Sequence, residues 1–204
     1  ELGTLVIDLG AGVTEYAVYS AGVIKHTGVL AVGGDHVSND LAYGLKVPLA
    51  RAEQIKIDHG SALIDPGARD RKIDLSDDSL IPGRQVCLGH LQQIMSMRLQ
   101  ETLELIAKDI GQAGLIEYLR AGVVLCGGGA RIPHITRLAR DVFKLPVAIG
   151  RASTVSGVKN ALDEPEFATP VGLIKFGAFQ SKATPRRGGI GRIIRRQVAS
   201  LFGR

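Results

Sequence analysis

The stretch Leu5-Val-Ile-Asp-Leu-Gly-Ala-Gly-Val-Thr-Glu-Tyr-Ala-Val-Tyr19 constrains the chain more than any other. Two apolar runs, 4–9 and 16–19, flank a turn that holds Gly10, Gly12 and Thr14. Runs of this kind bounded by glycines predict a β-hairpin. A glycine-rich tip can aim successive N–H groups at one point, which is how phosphate is gripped. Ala11 and Val13 complete that tip. Asp8 closes the first strand beside it, where a carboxylate can hold the water shell of a phosphate-bound Mg²⁺. The same residues are compatible with a plain hairpin whose glycines only relieve backbone strain.

A second stretch, Ala121-Gly-Val-Val-Leu-Cys-Gly-Gly-Gly-Ala-Arg-Ile-Pro-His-Ile135, predicts a buried strand, a glycine turn and a helix. Side chains at Gly127, Gly128 and Gly129 would block the close approach of a base or phosphate, and Arg131 follows directly. Between the two stretches, Gly33-Gly34-Asp35 opens a helix over 36–44 that ends at Pro48. A helix over 49–59 follows, and a polar segment with strand-like pieces at 62–64 and 72–75. Apolar residues at 91, 94, 95, 99, 103, 106 and 110 predict one long amphipathic helix from Leu88 to about Leu119, with Gly111–Gly114 as the place where it can falter. After the second glycine turn come a helix over 133–143, a strand at 146–149, a short helix at 157–162 and a last core helix from 167 to 177. Pro170 suits the first turn of that helix.

At 204 residues and 45% hydrophobic, the chain can bury one good core, with aliphatic rather than aromatic packing. Cys87 and Cys126 have no metal-ligand spacing and read as reduced thiols of a cytosolic protein. His59 and His134 lack metal-like partners. No apolar run approaches the roughly 18 residues that span a membrane, and no signal peptide precedes the first strand. The chain opens at Glu1 in front of a core strand, so it is expected to be the C-terminal part of a longer protein. Its net charge of +5 is local: residues 186–204 hold six Arg and no acid, and the rest of the chain has 19 basic against 20 acidic residues.

The paired motifs, Asp8-x-Gly10-x-Gly12-x-Thr14 and strand-Gly127-Gly128-Gly129, resemble the second half of the actin and sugar-kinase ATPase fold. Within it the chain is most similar to the FtsA family of bacterial cell-division proteins. That resemblance also rests on Gly33-Gly-Asp-His-Val-Ser-Asn-Asp40, Ala52-Glu-Gln-Ile-Lys-Ile-Asp-His-Gly60 and Asp163-Glu-Pro-Glu-Phe-Ala-Thr-Pro-Val-Gly172. The family usually has a small residue at the position of Pro170. The resemblance implies an α/β fold, an actin-like, RNase-H-like ATPase half with a mixed sheet and helices. Subdomain 2A would cover 1–35 and 87–177, and a small α+β inserted subdomain, 2B, would cover 36–86. ATP and Mg²⁺ would bind between this half and an N-terminal half, on Asp8, Gly10, Ala11, Gly12, Val13, Thr14, Gly127, Gly128, Gly129 and Arg131. Glu53 and Lys56 would face the adenosine end of the nucleotide, although by spacing alone they are equally an i,i+3 surface pair. Arg98 and Glu101, with Arg84 at the flank, would meet the C-terminal peptide of FtsZ; by spacing alone Arg98 and Glu101 are a solvated pair.

The end of the chain carries a signal independent of that resemblance. Ile190, Ile193, Ile194, Val198, Leu201 and Phe202 fall on one helical stripe, flanked by Arg192, Arg195 and Arg196. A basic amphipathic helix over 190–204, tethered by a linker over 178–189, suits an anionic membrane surface. FtsA proteins end in such a helix. Docking on its own domain is the competing reading of the stripe. Together these features predict an adaptor that self-associates, binds FtsZ and other division proteins, and lies at the inner face of the cytoplasmic membrane at the division site. Hydrolysis of ATP does not follow. A phosphotransferase of the sugar- or acetate-kinase type and a PilM- or MreB-like filament protein share the glycine motifs, but neither accounts for the tail. Nucleic acid is not an expected partner, because it would leave the tail's apolar stripe without a use.

Overall fold

The computed structural model describes residues 2–75, 83–151 and 162–183. The tail residues 190–204, the second half of the expected linker and nearly all of the expected helix at 157–162 lie outside these. The chain divides into two compact units after Ala168.

The first unit is built on a five-stranded sheet. The hairpin forms as its sequence predicts, from β1 (Thr4–Leu9) and β2 (Thr14–Ser20), and β3 (Val23–Leu30) extends it. Leu5, Ile7 and Leu9 alternate into the core from β1, and Tyr16 and Val18 from β2. Across the chain, β6 (Gly122–Cys126) lies parallel to β1, and β7 (Val147–Ile149) parallel to β6, so the order is β3-β2-β1-β6-β7. A two-stranded ribbon, β4 (Lys72–Asp74) and β5 (Gln85–Cys87), stands apart from this sheet. Residues 62–64, expected as strand-like, form a bend instead.

Among the described residues four α-helices complete the unit: α1 (Gly34–Leu45), α2 (Leu49–His59), α3 (Leu88–Gln112) and α4 (Ile135–Phe143). Helix α1 is not capped by Asp35; the ring of His36 accepts the Gly33 N–H at 3.2 Å, and Asp35 sits in the first turn. Helix α3 stops short of the expected Leu119 because Gly114 adopts a left-handed conformation (φ +67°). Its N–H and that of Leu115 donate back to Gly111 and Ile110, at 3.0 and 3.1 Å, which closes the helix in a Schellman turn.

Described residues of the expected inserted segment, 36–86, share the buried cluster of the sheet. Val37, Leu41, Leu45, Ala52 and Ile55 belong to the same buried cluster as Leu91, Met95 and Leu103 of α3 and Leu5 and Ile7 of β1. The second unit is described only through α5 (Ala168–Ala183). This helix continues past 177, where the linker was expected to start; no proline or run of turn residues interrupts 178–183, and Pro185 is the next helix breaker.

Ile106 on α3 is fully buried, whereas Met97 on the same helix is 64% exposed. Ile106→Ala is expected to destabilise the protein by about 2–5 kcal/mol and Met97→Ala by less than about 0.5 kcal/mol, read from urea unfolding midpoints.

Candidate functional site

The parallel pairing of β1 with β6 places Asp8 opposite Cys126, so both strands end together and release their glycine turns side by side. At the first turn, the Gly10 N–H donates to the Val13 carbonyl at 3.1 Å. The N–H groups of the exposed Ala11, Gly12 and Val13 make no backbone hydrogen bond among the described residues. Donors of this kind suit phosphate oxygens. The carbonyls of Gly10 and Ala11 accept the Gly34 and Asp35 N–H groups, at 3.0 and 2.9 Å, which ties the tip to the start of α1. Gly33 permits that approach, since a Cβ there would lie 2.3 Å from the Ala11 oxygen.

The three glycines of the second turn have different reasons. Gly127 is left-handed (φ +79°), and a Cβ would meet Asp8 Oδ1 at 2.2 Å; a Cβ on Gly129 would meet Leu9 at 2.6 Å. Both serve close packing against the end of β1. A Cβ on Gly128 would meet nothing within 4 Å, so the space above it is open to a ligand. Asp8 sits between the turns, and its charge, after burial itself, helps push the Cys126 thiol up to about 12. Cys126 is therefore an inert thiol.

Both turns open on one cleft of about 340 Å³. Gly10, Ala11, Gly128 and Gly129 line it from the turns, Glu53, Lys56 and Ile57 from α2, and Gly34 and Asp35 from α1. Arg131, Ile132 and Pro133 close the remaining side. The size and the mix of apolar wall and few polar groups suit a small-molecule ligand. Of the residues expected to bind nucleotide, Gly10, Ala11, Glu53, Lys56, Gly128, Gly129 and Arg131 line the cleft, whereas Asp8, Gly12, Val13, Thr14 and Gly127 do not. Thr14 points inward: it is 1% exposed, and its hydroxyl donates to the Val32 carbonyl at 2.8 Å. Its hydroxyl ties the start of β2 to the segment after β3 and does not face the cleft. Gly34, Asp35, Ile57, Ile132 and Pro133 were not expected; their signal was adjacency to the motifs.

Lys56 Nζ donates to Glu53 Oε2 at 2.7 Å, Ser38 Oγ at 2.8 Å and the Gly34 carbonyl at 3.1 Å. Ser38 also hydrogen-bonds Glu53 Oε2. Burial works against ionisation of Glu53, but the hydrogen bonds from Lys56 and Ser38 and the Lys56 charge outweigh it and hold the carboxyl below its ordinary value. The pair is thus part of a cleft wall, not a loose surface bridge. Arg131 is held by Glu166 through two hydrogen bonds, at 2.6 and 2.9 Å, and by Glu164 at 3.1 Å.

The expected partner site is built differently from its sequence reading. Arg98 pairs with Glu101 at 2.6 Å, and also with Asp40 of α1 through two hydrogen bonds at 2.6 and 3.1 Å. A second cleft, about 400 Å³, runs along Asp40, Ile94, Met97, Arg98 and Glu101. Arg84 does not line it; its guanidinium donates to the carbonyls of Leu45 and Lys46 at the end of α1. Among the described residues no cluster of His, Cys, Asp and Glu could hold a metal ion directly, and no helix is long and apolar enough to cross a membrane.

A family model described as cell division protein FtsA matches residues 5–172. The cell division protein FtsA of Pseudomonas aeruginosa is 32% identical over 177 residues, covering 87% of this chain and 42% of that protein. FtsA of Escherichia coli strain K12 is 34% identical over 184 residues, 87% and 44% respectively, and that of Neisseria meningitidis 36% identical over 175 residues, 85% and 42%. The chain therefore spans less than half the length of these relatives. Among solved structures, MreB5 of Spiroplasma citri bound to ADP superposes with a TM-score of 0.69 at 21% identity, covering 89% of this chain and 55% of that one. The MamK double helical filament gives a TM-score of 0.60 at 16% identity, covering 86% and 54%. These establish an actin-like fold.

Two outcomes follow from the site's geometry. Gly127→Ala is expected to lower the melting temperature by several degrees, through its positive φ and its clash with Asp8 and Leu9, while Gly128→Ala leaves it nearly unchanged. The second concerns pH. A carboxyl held below its unfolded value contributes stability that is complete above the ordinary glutamate range, near about 4.3, and is lost as pH falls through the lowered folded value. Glu53 is 43% exposed on its side chain, so solvent screening damps the effect. The stability advantage of the unsubstituted chain over Glu53→Gln should shrink as pH falls from about 6 to 3, measured by urea midpoints.

Proposed function

The chain belongs to the FtsA family of cell division proteins, and from that premise we propose that it forms the nucleotide-binding and membrane-tethering part of a division adaptor. The observation that carries the nucleotide half of this reading is the convergence of both glycine turns with Glu53 and Lys56 on one cleft. ATP fits it in one orientation. The phosphates lie against the amides of the first turn and over the open space at Gly128, and the nucleoside lies toward Ile57, Ile132 and Pro133. Asp8, set between the two turns, reaches a phosphate-bound Mg²⁺ through water. Arg131 supplies positive charge at the rim while keeping its Glu166 partner. The ADP- and AMPPNP-bound MreB5 structures support the nucleotide assignment by likeness of fold. The MamK filament likewise supports self-association.

The remaining functions rest on the family. The cleft beside Arg98 and Glu101 receives the acidic C-terminal peptide of FtsZ, whose carboxylates replace Asp40 or Glu101 on the Arg98 guanidinium. Arg84 contributes to this groove by holding the end of α1. Residues 190–204 act as a reversible anchor on anionic lipid, with Ile190, Ile193, Ile194, Val198, Leu201 and Phe202 inserted and Arg195 and Arg196 at the headgroups. Many weak anchors in one polymer give firm attachment by avidity. The adaptor then acts at the inner face of the cytoplasmic membrane, at the division site.

Titration of the chain with Mg²⁺-ATP, followed by amide chemical shifts, should perturb Ala11, Gly12 and Gly128, and Gly128→Leu should abolish the response without unfolding the protein. Unperturbed turns would remove the nucleotide assignment. Co-sedimentation with anionic vesicles should be seen for the full chain and lost on truncation at Lys182. Pelleting by the truncated chain would overturn the anchor. Arg98→Glu should weaken FtsZ-peptide binding at least tenfold, in keeping with the loss of a charge-assisted pair worth about 1.5–3 kcal/mol.

A further inference from the structure

We infer that Ser38 is a positioning residue of the nucleotide cleft: its buried hydroxyl clamps one oxygen of Glu53 so that the other faces the ligand as a fixed acceptor. The inference rests on the nucleotide reading above. Ser38 lies one turn inside α1, is 2% exposed and does not line the cleft itself. Its Oγ accepts from Lys56 Nζ at 2.8 Å and lies 3.1 Å from the Gly34 carbonyl and within hydrogen-bond reach of Glu53 Oε2. A hydroxyl has a single proton, so the Gly34 carbonyl and the carboxylate compete for it. The ionised carboxylate is the stronger acceptor and takes it.

The ammonium of Lys56 has three protons, and all three are engaged, by Gly34, Ser38 and Glu53. Lys56 therefore has no donor left for a ligand. It lines the cleft and acts by charge and by holding Glu53. Glu53 Oε2 receives two donors, while Oε1 receives none among the described residues. A carboxylate oxygen fixed in this way repels phosphate and welcomes a hydrogen-bond donor, so the part of the ligand it reads is the nucleoside. Without Ser38, Glu53 keeps one long-chain partner, Lys56, and its χ angles regain freedom.

The test uses the 204-residue chain, its Ser38→Ala and Ser38→Thr variants, and two probes, ATP and inorganic triphosphate. Titration of the Glu53 carboxyl carbon by NMR should show its pKa rising toward the ordinary value in Ser38→Ala and returning in Ser38→Thr. The affinity for ATP should fall about three- to tenfold in Ser38→Ala and recover in Ser38→Thr, while that for triphosphate stays the same. An unshifted Glu53 titration in Ser38→Ala, or equal losses for ATP and triphosphate, would overturn the inference and leave the nucleotide reading standing. Absence of ATP binding by the unsubstituted chain even at a nucleotide excess that fills the weak site of one half would overturn the nucleotide reading, and the role of Ser38 with it.

Discussion

The site depends on the parallel pairing of β1 with β6. These strands are separated by more than a hundred residues, yet their register sets Asp8 against Cys126 and brings the two glycine turns out at the same end of the sheet. A slip of one residue would turn the buried face of either strand outward, so the apolar alternation of Leu5, Ile7 and Leu9 holds the register. The packing of Gly127 and Gly129 against the end of β1 then holds the two turns together. Two of the three glycines are thus structural, and Gly128 alone faces open space.

A second set of contacts joins the hairpin side of the cleft to its far wall. The carbonyls of the hairpin tip accept from the start of α1; the Gly34 carbonyl accepts from Lys56; Lys56 and Ser38 hold Glu53. Tip, helix α1 and helix α2 are therefore one hydrogen-bonded body. Buried polar groups of this kind are stable only when every member is satisfied, and here the ammonium and the hydroxyl both are.

Much was legible in the chain. The hairpin, both glycine turns, α2 and the apolar stripe of α3 follow from local pattern, because hydrophobic periodicity and glycine placement report local backbone geometry. Where the readings departed from the structure, the missing information was non-local. Glu101 was recognisable as a partner of Arg98 because it lies one turn away, but Asp40, which makes the bidentate pair, lies 58 residues off on another helix. Arg84, expected at the flank of the partner groove, instead donates to the carbonyls at the end of α1. Thr14 read as a tip residue and turned inward, because the second strand begins there and strand alternation sends its side chain to the core.

The sequence by itself determined which residues could serve phosphate chemistry, where strands and helices would form, and that the basic, apolar-striped end differs from the neutral body. These are properties of residue type and short-range spacing. Only the tertiary structure decided that the two glycine turns, Glu53 and Lys56 share one cleft, that Lys56 has its donors fully engaged, and that described residues of segment 36–86 pack into the common core. The physical reason is that directional hydrogen bonds and close packing depend on which distant backbone segments meet, and a linear pattern does not specify that meeting.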